Sequence, residues 1–240
     1  MTLQPPALPD DAALFLDIDG TLLEHQPHPE GVVADARLLE QLVALKTRLD
    51  GALAFITGRS VAMADRLFAP LRLPIAGLYG LEHRLVAGGK TEAASEPEDV
   101  AAVADALQAE FGNTKGVYFE RKGPVLAIHT RAAPEALEAV RIAAELALPG
   151  LPAGYRIVAG NAGLEFLPKG ALKSAAIHRF MQEKPFSHRR PVFIGDDISD
   201  ESGFDYVNEL GGISIRVKPA GSTGARHTLE NVAAVRRWIG

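Results

Sequence analysis

The apolar run Ala12-Ala13-Leu14-Phe15-Leu16 ends abruptly in Asp17-Ile18-Asp19-Gly20-Thr21. A run this short, closed by acids and then Gly-Thr, reads as a buried strand that delivers two carboxylates to a loop. Side chains two residues apart leave a strand on the same side, so Asp17 and Asp19 are expected to converge on one point. Two anions that close repel unless a cation lies between them. A hard divalent cation with oxygen ligands, magnesium bound partly through a substrate phosphate, suits such a pair. One carboxylate is then placed to attack phosphorus while the other handles the leaving-group proton. Asp-Gly is also ordinary turn chemistry, so the case rests on partners elsewhere in the chain. An EF-hand fails as the alternative metal pattern, because its sixth loop position is Leu22 instead of Gly and its twelfth is His28 instead of Glu.

The partners come from further strands. After a proline-broken loop at His25-Gln26-Pro27-His28-Pro29, whose histidines read as loop residues and not ligands, apolar spacing predicts an amphipathic helix over 32–49. Gly51 ends it, and Ala52-Leu53-Ala54-Phe55-Ile56-Thr57 is a second continuous apolar strand. Strand, helix and strand with little alternation predict a parallel βαβ unit covered on both faces, with ligands beyond the carboxyl ends of the strands. Gly58-Arg59-Ser60 opens a helix to about Phe68, whose free N–H groups and dipole favour an anion near Thr57. A third strand is predicted over 75–79, and Pro191-Val192-Phe193-Ile194-Gly195 is another, ending in Asp196-Asp197-Ile198-Ser199-Asp200. Helices over 171–182, 201–210 and 228–239 and a strand over 212–217 complete this pattern.

Between these parts the rhythm changes. A hairpin turn at 85–90, a helix over 97–111, strands at 117–121 and 125–129, a helix over 134–146 and strands at 154–158 and 164–167 around Gly160-Asn161-Ala162-Gly163 predict a small α+β domain inserted into the parallel one. The parallel strands then bring Asp17/Asp19, Thr57 and Asp196/Asp197 to one sheet edge. Asp197 and Asp200 also suit a helix start, whereas Asp196 facing two other acids demands a neutralising cation. A lysine opposite the metal completes the neutralisation of a phosphate; Lys169 and Lys173 both stand in range, and spacing alone does not choose between them.

Composition narrows the remaining classes. A net charge of −5 leaves no broad basic footprint for nucleic acid. With no cysteine there is no disulfide, thiolate nucleophile or Cys-type zinc site, and the seven histidines lack HExxH-type spacing. The N-terminus lacks a signal-peptide pattern and no apolar run reaches membrane-spanning length. A soluble, cytoplasmic protein acting on a small molecule is expected, with a monomer as the expected state.

The order Asp17-x-Asp19-Gly20-Thr21, Thr57, a lysine and Gly195-Asp196-Asp197-x-x-Asp200 resembles the haloacid dehalogenase superfamily of phosphatases. Gly80-Leu81-Glu82-His83-Arg84, Glu120-Arg121-Lys122-Gly123, His129-Thr130-Arg131 and Glu165-Phe166-Leu167-Pro168-Lys169-Gly170 resemble the trehalose-6-phosphate phosphatase family over nearly the whole chain. The resemblance implies an α/β fold with a Rossmann-like parallel-sheet core, residues 1–90 and 168–240, and an inserted α+β cap at 91–167 that closes over substrate. It implies that Asp17 is the nucleophile, forming an aspartyl-phosphate, and that Asp19 protonates the sugar oxygen and then activates water. It further implies magnesium on Asp17, the carbonyl of Asp19 and Asp196, with Asp200 in support, Thr57 and Lys173 holding the phosphate, Gly58 and Arg59 beside it, and Glu120, Lys122 and Glu165 gripping sugar hydroxyls. Ser174 and Thr130 depart from the family pattern, which has glycine and an aromatic there. The implied reaction is trehalose-6-phosphate to trehalose and phosphate, the last step of trehalose biosynthesis; the rivals are a phosphatase for sucrose-6-phosphate or mannosyl-3-phosphoglycerate and a catalytically silent sugar-phosphate sensor.

Overall fold

The computed structural model describes residues 3–25, 34–95, 97–160, 163–219 and 221–240. The predicted loop at Gln26-Pro27-His28-Pro29, the predicted helix start at Val32, and Asn161-Ala162 of the predicted turn lie outside the described residues. The chain divides into two compact units, Met1–Glu92 with Leu172–Gly240, and Ala93–Ala171.

The first unit is built on an eight-stranded sheet in which β1 (Ala12–Leu16) lies between β10 (Arg190–Gly195) and β2 (Leu53–Ile56), parallel to both. Outward from β10 come β11 (Ile213–Val217) and β12 (His227–Leu229); outward from β2 come β3 (Ile75–Gly77), β4 (Glu82–Arg84) and β5 (Glu92–Ala93). The strands from β12 to β3 pair in parallel, and only at β4 does the direction reverse. All five side chains of β1 are buried, as the unbroken apolar run requires of a strand covered on both faces.

Helices cover the sheet on their apolar stripes. In α1 (Ala36–Arg48) that stripe is Leu38, Leu42 and Leu45. The helix starts later than the spacing predicts because Asp35 caps it, its carboxylate accepting the Leu38 N–H at 2.9 Å. On α5 (Lys173–Met181), Phe180 packs with Phe15 of β1 and with Phe186, ring centroids 4.9–5.9 Å apart. These contacts fix the helix against the central strand.

Three local expectations change. The strand predicted over 75–79 stops at Gly77, because Leu78, Tyr79 and Gly80 take left-handed φ values of 48°, 57° and 99°. The helix predicted over 228–239 is shorter: α7 (Val232–Ile239) is capped by Asn231, and the preceding His227–Leu229 pairs with β11 instead. The helix after Thr57, α2 (Val61–Leu67), starts beyond Ser60, whose hydroxyl accepts the Met63 N–H.

In the second unit, strands β6 (Tyr118–Lys122), β7 (Val125–His129), β9 (Gly163–Pro168) and β8 (Tyr155–Gly160) form an antiparallel sheet in that order. Helices α3 (Glu98–Phe111) and α4 (Leu137–Ala147) cover one face, burying Val100, Ala104, Val140 and Ala144 against Leu126, Ile128 and Phe166. Each unit thus has its own core. No helix among the described residues is long and apolar enough to cross a membrane.

Arg84, 1% exposed, ties β4 to α2 by a two-pronged ion pair with Asp65 (2.8 and 2.6 Å) and also donates to the Leu73 carbonyl. Removing one partner of such a buried pair strands the other. Arg84→Leu is expected to lower the unfolding free energy by about 3 kcal/mol, read as a lower urea midpoint; an unchanged midpoint would show the brace to be idle.

Candidate active site

Because β1, β2 and β10 run parallel in adjacent positions, their carboxyl ends bring Asp17, Thr57 and Asp196 to one edge of the sheet. The loop after β1 is held by its own backbone: the Gly20 N–H donates to the Leu23 carbonyl at 2.7 Å, and the N–H groups of Leu22 and Leu23 donate to Ile18. Gly20 has φ +78°, and a Cβ there would lie 2.0 Å from the Asp196 Oδ2. Only glycine lets this acid come so close to the loop.

Asp17, Asp196 and Asp200 each place a carboxylate oxygen within 4.8 Å of the others. Lys173, buried at the start of α5, donates to Asp17 at 2.7 Å and to Asp200 at 2.6 Å. Asp200 is fully buried; its second oxygen accepts the backbone N–H groups of Asp196 and Asp197, both at 2.9 Å. Its carboxylate therefore braces the loop as well as the lysine. Asp197 caps the following turn, as a helix-start acid does. The other lysine considered from the sequence, Lys169, is exposed in the second unit, where its N–H donates to the Gly154 carbonyl.

One ammonium does not balance three carboxylates. Burial pushes the Asp17 carboxyl well above its ordinary range; Lys173 pulls it back, while Asp200 and Asp196 push it further up. Burial works against the charge of Lys173, but Asp17 and Asp200 outweigh it and raise its proton affinity. The site is short of positive charge and lined by hard oxygen donors, which fits a divalent cation such as magnesium. His25, read from the sequence as a loop residue, places Nε2 3.0 Å from the Asp196 Oδ2.

Asp19 does not join this cluster through its side chain. Arg59 takes both carboxylate oxygens, Nε to Oδ2 at 2.6 Å and Nη2 to Oδ1 at 2.7 Å, so the expected convergence of Asp17 and Asp19 gives way to a separate partner for each. Thr57 is buried, and its hydroxyl accepts the Arg59 N–H at 3.1 Å. At Gly58, a Cβ would fall 2.6 Å from the Tyr79 hydroxyl, so glycine here makes room for the phenol. The α2 N-terminus is not the open anion site expected from the sequence: Glu82 accepts the Val61 N–H at 2.6 Å and Ser60 accepts that of Met63. The carboxylate that reads the helix dipole is the protein's own.

In the second unit, Lys122 lies between Glu165 (3.1 Å) and Glu120 (3.5 Å), bringing together the three residues expected there. Sequence reasoning gave His129 no role of its own, yet its Nε2 stands 3.0 Å from the Glu120 Oε2. Their register on adjacent strands, Tyr118 opposite His129 and Glu120 opposite Ala127, is the signal that could have found it. Burial alone would raise Glu120, but the His129 hydrogen bond and the charges of Lys122 and His129 prevail and hold its carboxyl down to about 2.

The family description "Trehalose-phosphatase" matches residues 15–235. The chain belongs to the trehalose-phosphatase family. It is 40% identical over 237 residues to the trehalose-6-phosphate phosphatase of Escherichia coli strain K12, spanning 98% of this chain and 88% of that protein. The C-terminal domain of the C. albicans trehalose-6-phosphate phosphatase superposes with a TM-score of 0.79 at 20% identity, covering 95% of this chain and 90% of that one. A sugar phosphatase of haloacid dehalogenase subclass IIB shares the fold, with a TM-score of 0.63 at 15% identity over 94% of this chain and 96% of its own. This trehalose-phosphatase family member thus has the α/β haloacid dehalogenase architecture.

Gly20→Ala, by displacing Asp196, is expected to lower phosphatase turnover about a hundredfold in a protein whose circular dichroism is unchanged; normal turnover would separate Gly20 from the site. A second prediction concerns pH. The folded value of Glu120 lies below its unfolded one, so its ionisation stabilises the fold above the ordinary carboxylate range, and that contribution is lost as pH falls toward about 2. The melting-temperature gap between wild type and Glu120→Gln is expected to narrow on acidification below about pH 4; a gap that widens below that pH would refute the assignment.

Proposed function

We propose that this protein is a magnesium-dependent phosphatase that hydrolyses trehalose-6-phosphate to trehalose and phosphate, the final step of trehalose biosynthesis. The observation that carries the reading is Lys173 buried between Asp17 and Asp200 with Asp196 beside them, at the edge where the parallel strands end. Family membership supplies the substrate class. The reading takes a soluble, cytoplasmic monomer acting on a small sugar phosphate.

In this reaction the Asp17 carboxylate attacks phosphorus and the P–O bond to the sugar breaks. Asp19 gives its proton to the departing sugar oxygen. Asp19 then takes a proton from water, whose oxygen attacks the aspartyl-phosphate and releases inorganic phosphate. Because Arg59 holds both oxygens of Asp19 in the structure, proton delivery requires Arg59 to free at least one of them. Thr57, Gly58 and Lys173 hold the phosphoryl oxygens. Asp17, Asp196 and the Asp19 carbonyl would hold magnesium, with Asp200 bracing them, and the ion when bound neutralises the acids and the transferring phosphoryl group. Glu120, Lys122 and Glu165, on the inserted cap, grip sugar hydroxyls.

Phosphate release from a panel of sugar phosphates tests this directly. Trehalose-6-phosphate is expected to turn over fastest, EDTA to stop the reaction, and Asp17→Asn to lower the rate on the order of a thousandfold or more. Glu165→Gln is expected to raise KM for trehalose-6-phosphate about tenfold and to leave acetyl phosphate unaffected. Preference for sucrose-6-phosphate or mannosyl-3-phosphoglycerate would overturn the substrate, equal effects of Glu165→Gln on both phosphates would overturn the cap assignment, and tight sugar-phosphate binding without turnover would make the protein a sensor.

A further inference from the structure

Alternation along β6 sends Phe119 toward the packed face of the second unit's sheet and Tyr118, Glu120 and Lys122 to the opposite face. Tyr118 is 58% exposed there, so most of its ring is spent on nothing in the core. A lone exposed aromatic is unremarkable in itself. This one has a particular setting. Across the ladder it pairs with His129, the two rings 5.8 Å apart and inclined at 30°. His129 in turn meets Glu120, Glu120 meets Lys122, and Lys122 meets Glu165. An aromatic surface therefore stands at the end of a continuous row of charged hydrogen-bonding groups.

The two halves of that row match the two kinds of surface on a pyranose. Hydroxyls on the ring edge bond to carboxylates and ammonium groups, while the faces of the ring present C–H groups that those side chains cannot recognise. An aromatic face does so by apolar contact, with the positive C–H edges directed at its π-cloud. Tyr118 and Glu120 are two residues apart on one strand, about 7 Å, so a single sugar ring can lie on the first while bonding to the second. Ligand sites commonly combine such an aromatic wall with a few placed polar groups.

We propose that Tyr118, steadied by His129, is the stacking platform for a glucose ring of the substrate and a determinant of sugar specificity. The inference rests on the reading that this face of the inserted unit grips the sugar. The test is steady-state kinetics of wild type, Tyr118→Ala and Tyr118→Phe on trehalose-6-phosphate and on acetyl phosphate, which has no ring to stack. Tyr118→Ala is expected to raise KM for trehalose-6-phosphate about fivefold with kcat within about twofold, to leave acetyl phosphate unchanged, and to be rescued by Tyr118→Phe. Unchanged kinetics in Tyr118→Ala, an equal rise for both substrates, or failure of Tyr118→Phe to rescue would each overturn the platform. If wild type prefers another sugar phosphate, the substrate reading fails by itself, and the same comparison on the preferred sugar decides Tyr118. If it hydrolyses acetyl phosphate and no sugar phosphate, both fall.

Discussion

The ammonium of Lys173, buried between the carboxylates of Asp17 and Asp200, is the interaction on which the arrangement at the carboxyl edge of the sheet depends. Burying ions is costly, and the cost is recovered only where each remaining lone pair finds a partner. Asp200 finds two backbone N–H groups beside the lysine, and burial nonetheless raises the proton affinity of both Asp200 and Asp17. The scaffold carries the lysine to this place along two rails. Phe15 and Asp17 lie two residues apart on the central strand and its extension, while Lys173 and Phe180 lie seven apart on one face of α5. The aromatic contact between Phe15 and Phe180 therefore sets the polar contact between Asp17 and Lys173. Residual negative charge at such a place serves binding of a cation and a phosphate more than it serves stability.

The two units divide their chemistry as they divide their cores. In the first, short loops at strand ends hold acids, a lysine and a threonine, and the supporting residues act at one remove. Glu82 caps α2 and Arg84 ties that helix to the sheet, so this segment of the family pattern is architectural: it sets the entry of the loop carrying Thr57, Gly58 and Arg59. In the second unit, a sheet packed on one side leaves its other face for polar work. Ion pairs hold Glu120 and Lys122 in their charged forms there, keeping the row available as hydrogen-bonding groups.

Much of this was legible in the sequence where a local pattern has one physical solution. Continuous apolar runs ended by acids became the central parallel strands, and the change of rhythm after the third strand marked the second unit. Where the answer lay in contacts between distant side chains, the pattern was silent. Nothing near Asp19 announces that Arg59, 40 residues on, takes its carboxylate, or that His25 reaches Asp196 across 171 residues. The helix N-terminus after Thr57 reads as open because Glu82, which fills it, arrives on a later strand. A three-residue strand such as His227–Leu229 is too short to show a period, so the helix behind it was extended over it. Spacing left Lys169 and Lys173 both open; the structure puts Lys173 on the buried stripe of α5 with Ala176, Ile177 and Phe180, while Lys169 precedes the helix.

Separate partners for the two acids of the first loop give the proposed chemistry its asymmetry. Identical side chains two residues apart would act alike if they shared one environment. Instead Asp17 is nearly sealed, 5% exposed and fixed by a lysine that has no room to move, which suits a nucleophile that must meet phosphorus along one line. The Asp19 side chain keeps 28% of its surface accessible and is held by a guanidinium on the adjoining loop. An acid that gives up a proton and takes another in each cycle needs both that access and a partner it can leave. Arg59 is also anchored from the opposite direction, its backbone N–H on Thr57 and its carbonyl accepting the Leu78 N–H, so its partner can leave without the loop following. The loop that carries Thr57 therefore also holds, through Arg59, the side chain to which the proposed chemistry assigns proton transfer.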